Sequence, residues 1–562
     1  MPAEYKVLGN ERIKREWIEA DCERLVRWFN KAGEWVGDFP MTDTRSRLWY
    51  CLDLLAHGDP KYQALAQNVI LKTWVDHNHF EPFAAVELLL RFPDKLTAKA
   101  AAWLREICAQ HYINSLEVRA GGPGTNNFTC MTTWFLLAAS QVLDGYKWDH
   151  PLASIPEVYT RERMQAVGMN ALAALCYWAE HQAVLDEWNS PTYTPISAWC
   201  MAKIVELVDQ PRAREMALQF ELNVWRQILA LYHPHLGVSC GPYARAYRQD
   251  MLGGASQMRA LLSYVGISPD KSIVGLLEDS SLAGVKPDPD AAFRYAGFCW
   301  EVANKYHVPV DALEELKNRT YPHRFSAPIS WASFGYVDPK THKYISVQGD
   351  LLPAGEGEIV QVQQATWALG WRTAATMGHS FPIHLQYGVK PRVRTLRDLR
   401  SVTAAVAFQG APQEWMEDWR GERVEYPNFN NEGDVQVTEE GEGLSFTARP
   451  FPQLSVLASN ELSINSFIPV PFCEVDEVTL DGDKFSGEPI SKQAKQAVLR
   501  VKDGEMAYEI GYAFPRAVEI KVYRWGNFLR FAGFWYQGKK KFFSAEELQK
   551  LSGRGWVKVV GD

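Results

Sequence analysis

Phe325-Ser326-Ala327-Pro328-Ile329-Ser330-Trp331-Ala332-Ser333-Phe334-Gly335-Tyr336 is where this chain changes character. Beyond it the apolar residues come in short β-branched and aromatic runs: Tyr344–Gln348, Glu358–Gln363, Val402–Phe408, Val435–Thr438, Leu444–Ala448, Val498–Val501, Tyr508–Ala513, Val518–Val522 and Phe528–Phe534. Turn-forming strings separate them, among them Asn431-Glu432-Gly433-Asp434, Asp481-Gly482-Asp483 and Asp503-Gly504. Strand-length runs with turn punctuation predict an antiparallel, sandwich-like β domain of roughly 220 residues.

Upstream of that switch the period is helical. Ile13, Trp17, Ile18, Leu25, Val26 and Phe29 recur as one face of a helix over Arg12–Phe29. Similar segments follow at Ser46–Ala56, Tyr62–Val75, Ala84–Phe92, Thr97–Cys108, Phe128–Leu143, Thr160–Glu180, Ile196–Val208, Ala213–Leu231, Gln249–Val265, Ala291–Tyr306 and Asp311–Lys317. Their connections carry Gly, Pro or Asp, as in His57-Gly58-Asp59-Pro60. Consecutive helices without strands imply layered helical hairpins, either an open solenoid or a closed α/α toroid. No fixed period is present, which counts against a simple TPR or HEAT array. The expected class is therefore α+β multidomain, with a helical unit over 1–322 and an antiparallel β-sandwich over 323–562. No long linker intervenes, so the two units should share an interface.

Composition narrows the function classes. Of 562 residues, 47% are apolar and 22% charged, ample for a packed core. The net charge of −8 argues against a nucleic-acid surface, and an acidic ligand would need a local basic pocket. The 21 Trp and 23 Tyr exceed ordinary core needs, and flat aromatic faces suit sugar rings. Met1–Ile18 lacks the pattern of a signal peptide and no apolar run is long enough to span a bilayer, so a cytoplasmic protein without a membrane partner is expected. Nine scattered cysteines with no CxxC pair read as reduced core residues, and neither a cofactor nor a metal is expected.

Chemistry concentrates between Asp186 and Asp250. One end reads Asp186-Glu187-Trp188-Asn189-Ser190-Pro191-Thr192-Tyr193; the other reads Gly241-Pro242-Tyr243-Ala244-Arg245-Ala246-Tyr247-Arg248-Gln249-Asp250. Ser190-Pro191 or Thr192 can simply open a helix, yet Trp188, Asn189 and Tyr193 beside Glu187 also suit a sugar subsite. If the second cluster is helical, Tyr243 and Tyr247 share a face with Arg248 beside them and Arg245 turned away. A phenol ordinarily ionises near ~10, and adjacent positive charge lowers that value. The bland alternative is an arginine paired with Asp250 among core tyrosines. Asn126 and Asn127, following Gly121-Gly122-Pro123-Gly124, are helix caps or substrate amides. Without a preceding strand, a GxGxxG or a P-loop lysine, those glycines do not read as a nucleotide cradle. His233 and His235 in HxH spacing have no partner motif for a metal. His379 and His384 belong to the β region and could face the helical unit.

Helical hairpins followed by a sandwich, with Asn126-Asn127, Asn189, the Tyr243/Arg245/Tyr247/Arg248 cluster and a histidine, resemble polysaccharide lyases of the heparinase II/III, chondroitin and alginate-lyase type. The resemblance implies an α/α toroid and β-elimination at a uronic acid of an acidic oligosaccharide substrate. Under it, Asn189 or Asn127 would neutralise the substrate carboxylate and Tyr247 or Tyr243 would act as base or acid. Arg245 or Arg248 would tune the phenol, and His233 or His379 would be the other proton carrier. Asn126, Glu187, Trp188, Tyr193 and Asp250 would line the sugar. The pattern departs in one respect: no histidine adjoins either Asn site, which leaves the base open. Two rivals stand beside this reading. A glycoside hydrolase would use Asp186, Glu187 or Asp250 as its carboxylate pair, and a non-catalytic helical-repeat protein would only bind sugar. Homo-oligomerisation stays open.

Overall fold

The computed structural model describes residues 4–37, 45–73, 81–117, 126–147, 158–180, 189–243, 257–268, 298–328, 335–337, 344–346, 358–373, 383–388, 399–407, 415–417, 423–425, 433–450, 456–469, 475–525 and 528–560. Helices fill the first part: α1 (Glu11–Trp28), α2 (Arg45–His57), α3 (Pro60–Lys72), α4 (Glu81–Arg91), α5 (Ala98–Glu117) and α6 (Asn126–Val142). They continue as α7 (Arg161–Glu180), α8 (Thr194–Leu207), α9 (Pro211–Leu231), α10 (Gln257–Tyr264), α11 (Phe298–Val302) and α12 (Val310–Lys317).

The pairing of these helices follows from their apolar faces. Helix α2 packs on α4, α4 on α6 and α6 on α8; α11 touches both α8 and α2, so the row returns to its start. Helices α3, α5, α7 and α9 lie outside that row. Trp300 of α11 sits at the return: its indole N–H donates to Asp53 of α2 at 2.7 Å, and Lys14 of α1 lies 4.2 Å over its ring. Helices α4 and α8 are also braced directly. Lys203 Nζ is 2.5 Å from Glu87 Oε2, and Arg91 reaches both Glu87 (2.7 Å) and Glu206 (2.9 Å).

The expectation of helices without strands is corrected at three places. Tyr232–His233 pairs with Val238–Ser239, Gly145–Lys147 pairs with Val158–Thr160, and Tyr5–Leu8 pairs with Tyr306–Pro309. Tyr306, expected to end a helix, instead starts a strand. The aromatic and β-branched run Tyr306-His307-Val308 favours extension, and Tyr5–Leu8 supplies the hydrogen-bonding edge.

From His323 onward the described residues are almost wholly strands. The main sheet runs in the order Gly433–Glu440, Gly443–Pro450, Gly553–Val560, Met506–Trp525, Phe528–Ser544, Val456–Pro469, Leu399–Ala407, Ile383–Gly388, Trp367–Arg372, Glu358–Gln363 and His323–Pro328. Ile490–Asp503 pairs with Met506–Trp525, and Glu477–Leu480 with Ile490–Asp503. The runs Tyr508–Ala513 and Val518–Val522 are one strand, not two, continuous through the exposed Pro515-Arg516-Ala517.

Directly opposed residues share a face, so the register assigns each side chain. Val360, Trp371 and Ile383 lie in one row, and Leu369, Leu385 and Val402 in another; all join one apolar core. The other face is buried and polar. One row across it reads Gln361, Gly370, His384, and the next reads Gln363, Ala368, Gln386, Ser401. This polar face receives the helical part of the chain.

Candidate functional site

Helix α9 ends against that polar face. Its last carbonyls lack partners within the helix, and Arg319 supplies them: Nη2 donates to Leu229 O at 2.9 Å and Nη1 to Tyr232 O at 2.6 Å. Arg319 Nη1 also donates to Gln363 Oε1 at 3.0 Å, which ties the helix end to the strand Glu358–Gln363. The chain then makes the short hairpin at Tyr232–Ser239 and enters the segment Cys240–Tyr243.

Three side-chain amides hold this segment. Asn189 Nδ2 donates to Cys240 O (2.7 Å) and Pro242 O (2.8 Å), while its Oδ1 accepts from Ser239 Oγ at 3.0 Å. Gln361 Nε2 donates to Cys240 O (2.7 Å) and Gly241 O (2.6 Å). Gln386 Oε1 accepts from Gly241 N (2.8 Å) and from Tyr243 Oη (2.7 Å). Asn189 comes from the residues leading into α8, whereas both glutamines come from the sheet. Buried carbonyls need such donors, and here they come from both parts of the chain.

His384 completes the seat. Its ring centroid is 4.8 Å from that of Tyr243 in an edge-on approach, and Nε2 lies 2.9 Å from Ser401 Oγ. Gly241 packs so closely that a Cβ there would stand 2.5 Å from His384 Cγ. Asn189, Tyr243, Gln361, His384 and Gln386 are all buried.

The remaining expected residues divide cleanly. His233 is buried with both ring nitrogens on backbone: Nε2 donates to Gln364 O at 2.6 Å and Nδ1 accepts from Leu236 N at 3.1 Å. Burial pushes its pKa down to about 4, so the ring is neutral at pH 7. Tyr193 is half-buried against the helical core. Asn127 is buried in the first turn of α6, and Asn126 begins that helix with its side chain outside the described set. Asp186, Glu187, Trp188, Arg245, Tyr247, Arg248, Asp250 and His379 lie outside the described residues.

Sequence reading did not single out Gln361, Gln386, Gly370 or Arg319. One signal was present for the first. In Glu358-Ile359-Val360-Gln361-Val362-Gln363 the glutamines alternate with apolar residues, the pattern of a strand with one polar face. Among the described residues no group of three His, Cys, Asp or Glu side chains is placed to hold a metal. Among them also, no helix is long and apolar enough to cross a membrane.

A family model described as a domain of unknown function, DUF8769, matches residues 158–275. None of the curated proteins matches the sequence. Among solved structures, the chain is similar to heparinase III at 10% identity, over 98% of this chain and 85% of that one, with a TM-score of 0.41. It is similar to the chondroitin AC lyase of Streptomyces coelicolor A3 at 11% identity, over 98% and 79% of the two chains, with a TM-score of 0.40. For the heparan sulfate lyase HepC of Pedobacter heparinus the identity is 11%, the coverage 98% and 83%, and the TM-score 0.34.

Proposed function

We propose that this chain is an oligosaccharide lyase that cleaves uronic-acid-containing substrates by β-elimination, on an α/α toroid (1–322) joined to a β-sandwich (323–562). The observation that carries this reading is the seat beneath Cys240–Tyr243, where Asn189, Gln361 and Gln386 fix the backbone that leads into Arg245-Ala246-Tyr247-Arg248. Elimination needs donors and proton carriers held in place before charge develops. An anchored segment directly ahead of two arginines and a tyrosine in the sequence supports this reading.

In the reaction, a base removes the proton at C5 of the uronide and its electron pair forms the C4–C5 double bond. The bond from C4 to the glycosidic oxygen breaks, and an acid protonates the leaving oxygen. Asn189, Tyr243 and His233 commit their polar atoms to internal partners in the present arrangement. We therefore assign Asn189 and Tyr243 a positioning role and give the proton transfers to Tyr247, with His379 as the second carrier. Arg245 or Arg248 would neutralise the substrate carboxylate and lower the phenol's pKa.

The test is a screen of uronic-acid oligosaccharides for the conjugated product, which absorbs near ~235 nm when elimination has occurred. Tyr247→Phe should abolish the signal while Tyr243→Phe lowers it in step with lost stability. Release of reducing ends without absorbance would replace the lyase with a hydrolase. Full activity in both Tyr247→Phe and Arg248→Ala would end the assignment of roles.

A further inference from the structure

The outer face of the sandwich carries a concavity of about 590 Å³ on the strands Glu477–Leu480, Ile490–Asp503 and Met506–Trp525. The strand Ile490–Asp503 stands five strands from His384's strand in the sheet order, so this hollow is separate from the seat of Cys240–Tyr243. Register builds it. Thr479, Arg500, Glu509 and Lys558 form one row of facing residues, and Val498, Gly511 and Trp556 form the next.

Trp556 lies against Gly511, its six-membered ring taking the place that any side chain there would occupy. Trp556 is half-buried and outside the inner apolar core, and across Gly511 it follows Val498, which lines the hollow, in the register row next to that of Arg500. An aromatic ring laid on a glycine of a sheet surface is a platform for an apolar C–H face.

The charges around this platform are unequally engaged. Asp481 accepts from Val498 N at 2.7 Å and from Lys492 Nζ at 2.8 Å, and Glu509 is paired with Lys558 at 3.0 Å. Arg500, opposite both Thr479 and Glu509, is exposed and has neither a hydrogen bond nor an ion pair among the described residues. A guanidinium with its fork free suits a carboxylate or sulfate held by two parallel bonds. Thr479 and the outer oxygens of Glu509 can meet hydroxyls.

We propose that this hollow is an accessory binding site for an anionic saccharide unit, with Trp556 under the ring and Arg500 on its acidic group. The choice of an anionic sugar rests on the substrate class proposed above; the platform and the unengaged arginine do not. Such a site would hold a chain on the sandwich while another part of it reaches the helix–sheet boundary, raising its local concentration there.

Hydrogen exchange read by mass spectrometry on the full chain localises the answer. A uronic-acid hexasaccharide, a sulfated one and a neutral one serve as probes. An acidic probe should protect peptides covering Val498–Lys502 and Gly553–Lys558. Arg500→Ala should weaken that protection roughly tenfold in ligand concentration, as expected for loss of a charge-assisted bond, and Trp556→Ala should remove it. Which acidic probe protects tells carboxylate from sulfate. Equal protection by the neutral probe, unchanged in Arg500→Ala, would overturn the anionic assignment. No protection of these peptides by any probe would overturn the site itself. Because absorbance at the other site is measured separately, failure of elimination and failure of this site are distinguishable.

Discussion

Pro242 occupies the space in front of Gly370: a Cβ on Gly370 would overlap Pro242 Cδ and the Gly241 carbonyl. The strand Trp367–Arg372 thus gives up one side chain so that a segment from the helical part can lie on its backbone. Gly370→Ala should force the two apart. Overpacking of this kind costs about 1–3 kcal/mol, so the urea midpoint should fall. If the midpoint and any measured activity are unchanged, the close approach is not a constraint on the protein.

Asn189 has φ of 49°, a left-handed backbone that Asn and Gly tolerate better than Ala. Its amide also supports two carbonyls and a hydroxyl. Asn189→Gly keeps the backbone and loses the amide, about 1–3 kcal/mol for buried groups left short of a partner. Asn189→Ala loses the amide and adds about 1–2 kcal/mol of backbone strain. Denaturant melts should therefore rank wild type above Gly and Gly above Ala. An alanine variant at least as stable as the glycine one would contradict this account.

That the chain combines helices with antiparallel strands was legible because each rests on local periodicity. The joint between them was not. Gln386 belongs to Ile383-His384-Leu385-Gln386-Tyr387-Gly388, whose six residues are all buried on both faces. Alternation there cannot say that one face meets apolar core and the other the backbone of Gly241. Asn189 was found as a polar residue at a helix entrance, but nothing near it in sequence reveals that its partners lie 51 and 53 residues away. His384 was noticed beside His379, and its contact with Tyr243 depends on sheet register that spacing alone does not supply.

His233 links stability to pH. Burial lowers its pKa from 6.5 to about 4 in the folded chain, with His235 and Arg319 adding to the decrease and the Gln364 carbonyl opposing it. Tyr321, stacked at 5.5 Å, completes its surroundings. Below 6.5 the unfolded chain takes up a proton that the folded one refuses, so stability falls as pH drops from 6.5 towards 4. The slope from this one group is at most about 1.4 kcal/mol per pH unit. His233→Gln should flatten that part of the profile relative to wild type, whatever it does to stability at pH 7. Parallel profiles for the two proteins would show that His233 is not the source.

Glu87 and Lys203 join α4 to α8 inside the helical row, and both side chains are essentially buried. Removing one partner leaves a charge without its counter-ion away from water, whereas removing both removes the problem. Lys203→Met should therefore lower stability by about 3–5 kcal/mol, as expected for breaking a buried pair. Arg91 still faces Glu87 at 2.7 Å, which places the loss towards the lower end. In the double variant Glu87→Gln, Lys203→Met, Arg91 keeps Glu206 at 2.9 Å, and more than half of the lost stability should return. A double-mutant cycle from urea melts measures the coupling directly. Additive losses would mean that the two side chains act independently and that the brace between α4 and α8 is carried by apolar packing alone.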